Sequence, residues 1–144
     1  LILGGREINE QMPKYIANKF VSKINKIKHK DKKKVLIMGV TFKENCPDVR
    51  NSKIVEIINI LKKNKKLILD LYDPIANEKE FNSLYNLRLK KEIMCNSYDG
   101  IIIAVRHLAF KKNGLKKIKS YLKKDSILFD IKSIFPKSNT DFSL

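Results

Sequence analysis

The sequence predicts an α/β domain, a parallel sheet with helices on both faces, entered through part of a long helix. Three observations support this. Val35 to Met38 form a continuous apolar run that stops at Gly39, the pattern of a parallel strand buried on both faces. Ile54, Ile57, Ile58 and Leu61 then recur at helical spacing. Strand-like and helix-like segments keep alternating towards the end of the chain, which calls for crossover connections and a parallel sheet.

Taken in order, residues 6–28 read as a helix with apolar positions Ile8, Met12, Tyr15, Ile16, Val21, Ile24 and Ile27. Pro13 should kink or restart it, because proline lacks an N–H and its ring crowds the preceding turn. The run Lys28-His-Lys-Asp-Lys-Lys-Lys34 is a charged linker. A strand over 34–39 leads to a helix over 52–63, which Ser52 or Asn51 can cap by accepting a backbone N–H. Then come a strand over 67–72, a helix over about 76–84, a weak strand near 87–90 and a turn or short helix near 93–98. A strand over 100–105, a helix within 108–123 bearing Leu115, Ile118 and Leu122, and a last strand over 126–131 complete the pattern. From Lys132 the tail is short and polar, and no contact is assigned to it.

A chain of 144 residues suits one compact domain that buries about two-thirds of the surface its unfolded form exposes. The formal net charge of +16 invites a polyanion partner, since clustered cations neutralise phosphates and release counterions. These cations, however, are 27 Lys against 4 Arg, spread along the chain without an aromatic-interleaved stripe. Arg is the better fork for phosphates and base edges, so the lysines read as a solvated surface and nucleic acid is not the expected partner. A basic module binding RNA or an acidic partner is the alternative. Cys46 and Cys95 have no metal-ligand spacing and suit a reducing compartment, so no metal is expected. No run approaches the roughly eighteen apolar residues of a membrane span. The chain opens at Leu1 without Met and reads as a piece of a longer protein.

Chemistry concentrates between the first strand and its helix. Lys43 and Arg50 lie on a loop that ends at a helix N-terminus, where unpaired N–H groups and the helix dipole favour an anion such as phosphate. Lys43 also stands just past the C-terminal end of a buried strand, where ligands of open parallel sheets bind. Arg50 reads equally as a cleft cation or as one half of an ion pair with Asp48 or Glu44. A dinucleotide turn would show Gly-x-Gly-x-x-Gly here, and this loop has only Gly39. Cys46, close to cations and a helix start, invites a nucleophile assignment. It precedes Pro47 with no histidine nearby in sequence, so it reads instead as a buried structural thiol, and Cys95 as ordinary. Asp73 before Pro74 reads as a turn former. His107, at another strand end within reach of the cleft, reads as structural, and His29 in the charged linker has no specific role.

The fourteen consecutive positions Gly39-Val-Thr-Phe-Lys-Glu-Asn-Cys-Pro-Asp-Val-Arg-Asn-Ser52 resemble the signature that opens the C-terminal, UDP-binding domain of the UDP-glucose/GDP-mannose dehydrogenase family. The likeness is nearest to its UDP-N-acetylhexosamine (glucosamine, galactosamine or mannosamine) 6-dehydrogenase branch. Gly5-Arg-Glu-Ile-Asn-Glu-Gln-Met12, Tyr72-Asp-Pro74 and Phe129-Asp-Ile-Lys132 agree in order and spacing. Glu10 replaces a more usual Asp, and the chain ends Asp141-Phe-Ser-Leu144 where many relatives carry a Trp-containing segment.

The resemblance implies a Rossmann-like fold in three parts. Residues 1–33 would be the C-terminal part of a central interdomain helix with a basic linker, 34–132 the nucleotide-sugar domain and 133–144 a tail. It implies that Phe42 and Lys43 bind substrate, Lys43 donating near the diphosphate or sugar hydroxyls, and that Arg50 faces the cofactor side of the cleft. Arg6 and Asn9 would make interdomain contacts. It assigns no catalytic residue to this chain, because the family's Gly-Phe-Gly-Gly-Ser-Cys-Phe nucleophile segment belongs to a preceding region, as does the NAD fingerprint. NAD would therefore be held mainly by an N-terminal domain. The whole enzyme would be a cytoplasmic homodimer or higher oligomer, oxidising the C6 alcohol of a UDP-sugar to a carboxylate for capsule or O-antigen synthesis.

Overall fold

The computed structural model describes residues 2–27 and 32–143, with side chains described for 11–27 and 32–143. Helix α1, Ile2–Ile24, continues through Pro13 as one helix instead of restarting there. Pro13, Ile16, Ala17, Phe20 and Ile24 are buried at spacings of three and four, so the proline ring belongs to the packed stripe. Tyr15, expected on that stripe, is 50% exposed, because the buried face centres on Phe20. Arg6 and Asn9 fall on the part of α1 whose side chains lie outside the described residues, and His29 lies outside them altogether.

Five strands follow: β1 Lys33–Met38, β2 Leu67–Tyr72, β3 Tyr98–Ile103, β4 Leu122–Asp130 and β5 Phe142–Ser143. They form one sheet in the order β2-β1-β3-β4-β5, every neighbouring pair parallel. Alternate side chains leave opposite faces of a strand, and β1 feeds two cores accordingly. Val35 and Ile37 join α1 and helix α2, Ile54–Lys62, on one face. Helix α3, Glu78–Tyr85, adds Phe81 to that first core, and Leu36 and Met38 join helix α4, Leu108–Lys119, on the other face. Phe20 meets Phe129 edge-on at 5.0 Å, and a Cβ on Gly100 would sit 2.6 Å from Phe20 Cζ. Glycine there lets α1 lie directly on the sheet.

Several expectations needed correction. Residues 87–90 form no strand. Lys90 N–H donates to Leu71 O at 2.7 Å, and Leu87 and Leu89 pack on the first core. Their alternation thus reflects packing beside β2 without a ladder. Neither Ser52 nor Asn51 caps α2: the cap position is Lys53, without a side-chain bond. Ser52 contributes its carbonyl to Val55 N–H at 3.3 Å, its hydroxyl is buried without a partner among the described residues, and Asn51 takes a positive φ of 56°. The tail does make contact, as β5. Asp141 Oδ2 accepts Leu128 N–H at 2.7 Å, and Phe142 stacks on Phe129 at 4.7 Å. Cys46 is half-buried and Cys95 exposed, so neither is the buried thiol expected of Cys46.

Candidate functional site

The chain leaves β1 for β2 on one side, then returns past β1 to place β3 on the other. Connections therefore diverge between the C-terminal ends of β1 and β3, which opens a crevice in doubly wound sheets. Small-molecule sites occupy about 300–1,000 Å³, and the cleft found there measures about 640 Å³. Thr41 to Glu44 after β1, Lys53 and Ile54 at the start of α2, Ala104 to Arg106 after β3 and Lys132 after β4 line it. An apolar recess formed by Met12, Pro13, Ile16, Ile57 and Ile131 adjoins it through Lys53, Ile54, Ala104 and Lys132.

Two backbone features shape this edge. Gly39 has φ of 98°, and a Cβ there would meet Val105 Cβ at 2.7 Å and Val105 N at 2.8 Å. Glycine thus permits both the left-handed turn and the close approach of the β1 and β3 exits. Asp73, just past β2, is buried and accepts from Val40 N–H at 2.8 Å, Ile75 N–H at 2.8 Å and Ala76 N–H at 3.0 Å. It is the turn former that the sequence indicated, and also a brace across the sheet. His107, fully buried, places Nε2 2.8 Å from Asp73 Oδ2 and 3.2 Å from Thr41 Oγ1. Its Nδ1 accepts Asn45 N–H at 3.0 Å. Burial pushes the Asp73 carboxyl up, but the hydrogen bonds from His107, Val40 and Ile75 outweigh it and hold the group below the usual carboxylate range.

The predicted residues divide. Phe42, 50% exposed, and Lys43, exposed, both line the cleft. Arg50 is not among its lining residues; it makes a forked pair with Asp48, Nε to Oδ1 and Nη2 to Oδ2 both at 3.0 Å. This pair holds the arginine above its ordinary value and the aspartate below its own. Sequence reading missed Lys53, Arg106 and Lys132. Each follows a strand end or opens a helix, so the positional rule that found Lys43 would have found them too. With Lys43 they bring four cations against the single carboxylate of Glu44 to one concave edge. Among the described residues none of the four makes an ion pair.

Fold and cleft together define a doubly wound α/β domain with a cationic small-molecule cleft at the sheet's switch point. Residues 36–137 match the UDP-glucose/GDP-mannose dehydrogenase family, UDP binding domain, and the chain belongs to that family. It is 34% identical to the UDP-N-acetyl-D-glucosamine 6-dehydrogenase of Salmonella typhi and 35% identical to that of Pseudomonas aeruginosa, in each case over the whole of this chain. It is 36% identical to Protein CapL of Staphylococcus aureus over 99% of this chain. The chain spans about a third of the length of these curated relatives, 34% in each. Among solved structures, the UDP-N-acetyl-mannosamine dehydrogenase Cap5O of S. aureus superposes with a TM-score of 0.74 at 22% identity, covering 96% of this chain and 31% of its own. The UDP-D-ManNAc dehydrogenase of Pyrococcus horikoshii gives 0.73, also at 22% and with the same coverage. These two likenesses show the same fold.

Proposed function

We propose that this chain holds the UDP portion of a UDP-sugar within a larger NAD-dependent 6-dehydrogenase, one that oxidises the sugar's C6 alcohol to a carboxylate for bacterial surface polysaccharide. One observation carries the reading: the four-cation cleft at the switch point lies on the segment that matches a UDP-binding domain. A diphosphate supplies the charge that Lys43, Lys53, Arg106 and Lys132 would otherwise hold against one another. Phe42 offers an exposed ring at the cleft mouth for a base or sugar face. The work of these residues is binding and orientation, and none is assigned a catalytic step.

The residues present do not fit NAD. Gly39 is closed off by Val105, and no further glycine occurs before α2, so the Gly-x-Gly-x-x-Gly turn of a dinucleotide site is missing here. Cofactor and nucleophile would then come from elsewhere in a protein of the relatives' length. Arg50 facing the cofactor, Arg6 and Asn9 at an interdomain contact, a homodimer or higher oligomer and a cytoplasmic location complete the proposal. The RNA-binding alternative gains nothing from the comparisons.

Titration calorimetry with UDP on the protein expressed from its full reading frame tests this. Charged hydrogen bonds contribute roughly 1.5–3 kcal/mol, so Lys43→Ala should weaken UDP by about ten- to a hundredfold with an unchanged melting temperature. Lys62→Ala, at the far end of α2, should bind like the parent. Equal binding by all three proteins would remove the diphosphate from this edge.

A further inference from the structure

We infer that His107 is a positioning residue for the cleft: as the neutral Nε2–H tautomer, braced from behind by Asp73, it holds the turn that carries Phe42 and Lys43. The inference rests on the reading of this cleft as the UDP site. Donor and acceptor chemistry fixes the tautomer. A backbone N–H only donates, and that of Asn45 meets Nδ1 at 3.0 Å, so Nδ1 carries a lone pair. The ring proton is then on Nε2, 2.8 Å from an Asp73 carboxylate oxygen that accepts. Asp73 is itself held by backbone N–H groups of Val40, Ile75 and Ala76, so the ring's orientation is set from β1 and β2 together.

The turn in front of the ring is tied at both ends. Asn45 Oδ1 accepts Leu108 N–H at 2.8 Å, which joins residues 62 and 63 positions apart in a two-point clasp. Thr41 Oγ1 lies 3.2 Å from Nε2 and donates to Lys43 O at 2.8 Å. Phe42 to Asn45 are exposed and bring little apolar packing of their own. Asn45 also adopts φ of 59°, a conformation that asparagine tolerates better than most residues. The buried imidazole is thus the fixed support of an otherwise solvated turn, and Lys43, without an ion pair, takes its position from that backbone.

The two ring nitrogens are separable by substitution, with the protein expressed from its full reading frame and UDP as titrant. His107→Asn puts an amide oxygen near the Nδ1 position and keeps an acceptor for Asn45 N–H. His107→Gln keeps a donor towards Asp73 and leaves Asn45 N–H without its partner. Affinity for UDP should fall about three- to tenfold in His107→Gln and stay within about twofold of the parent in His107→Asn. Asn45→Gly, on the exposed side, retains the left-handed φ but removes the clasp to Leu108; it should weaken UDP several-fold with an unchanged melting temperature. This variant decides the matter if the buried ones do not fold. Nitrogen NMR of the parent's imidazole should show the proton on Nε2.

A proton on Nδ1 overturns the inference, as does parent-like UDP binding by both His107→Gln and Asn45→Gly while Lys43→Ala is weakened. A parent protein that takes up no UDP overturns the UDP reading itself, and this inference with it.

Discussion

Towards the N-terminal ends of the strands, cations meet carboxylates: Lys34 Nζ lies 3.6 Å from Asp70 and Lys123 Nζ 3.6 Å from Asp99, while Tyr98 O–H donates to Asp70 at 2.7 Å. At the C-terminal ends the buried carboxylates are taken by backbone and imidazole. Asp73 serves Val40, Ile75, Ala76 and His107, and Asp130 accepts from Ile134 and Phe135 N–H at 3.1 and 2.8 Å. Few lone pairs remain there for lysine. In a chain with 27 lysines, charge count alone therefore locates no ligand; the decisive question is which cations the fold gathers on one concave edge. Buried hydrogen-bonded carboxylates stabilise the C-terminal edge without neutralising its cleft, whereas in the opposite half Asp70 and Asp99 each pair with a lysine.

The largest effect expected from this contrast is that of Asp73→Ala. It strands three backbone N–H groups and His107, each unsatisfied donor costing about 1–3 kcal/mol, so urea unfolding should show a loss of at least about 3 kcal/mol. A loss below about 1 kcal/mol would mean that Asp73 does not brace this edge. The same residue sets an acid limit. Its folded pKa lies below the ordinary carboxylate value, so its contribution is complete above roughly pH 4 and is lost as the pH falls through the folded value. In Asp73→Asn this acid-dependent loss should shrink when melting temperatures are followed from pH 6 downwards.

Smaller effects sharpen the two halves. Arg106→Ala and Lys132→Ala should each weaken UDP by about three- to tenfold in calorimetry, with melting temperatures unchanged. Lys34→Ala should do the reverse, costing under about 1 kcal/mol in urea unfolding and leaving UDP affinity as it was. Cys46→Ser, at a half-buried thiol, should alter stability by less still and change UDP affinity by no more than a few-fold. Loss of UDP binding in Lys34→Ala would erase the distinction between the halves.

Helix α2 and the apolar strand β1 were legible because local patterning matches what they bury: Ile54, Ile57, Ile58 and Leu61 are all buried, as their spacing indicated; α4 was legible only in part, since Ile118 is buried in it but Leu122, expected on the same helix, opens β4. Lys43 was legible because a strand end is a local feature and the motif around it is contiguous. Patterning failed where packing and pairing look alike in sequence. Leu87 and Leu89 alternate but lie beside β2 without a ladder, and Phe142–Ser143, at the end of a polar tail, pairs with β4 because Phe129 offers the Phe142 ring a partner to stack on.

By itself the sequence determined the alternation of strands and helices, the family signature at Gly39 to Ser52, and the placing of Phe42 and Lys43 at the exit of a buried strand. These depend on residues a few positions apart. Only the tertiary structure decided that Lys53, Arg106 and Lys132 converge on Lys43, that Arg50 pairs with Asp48, and that His107 meets Asp73, Thr41 and Asn45. Parallel strands bring their C-terminal ends to one edge whatever the sequence separation, so partners 34 to 66 residues apart become neighbours through the sheet, and local spacing carries no record of it.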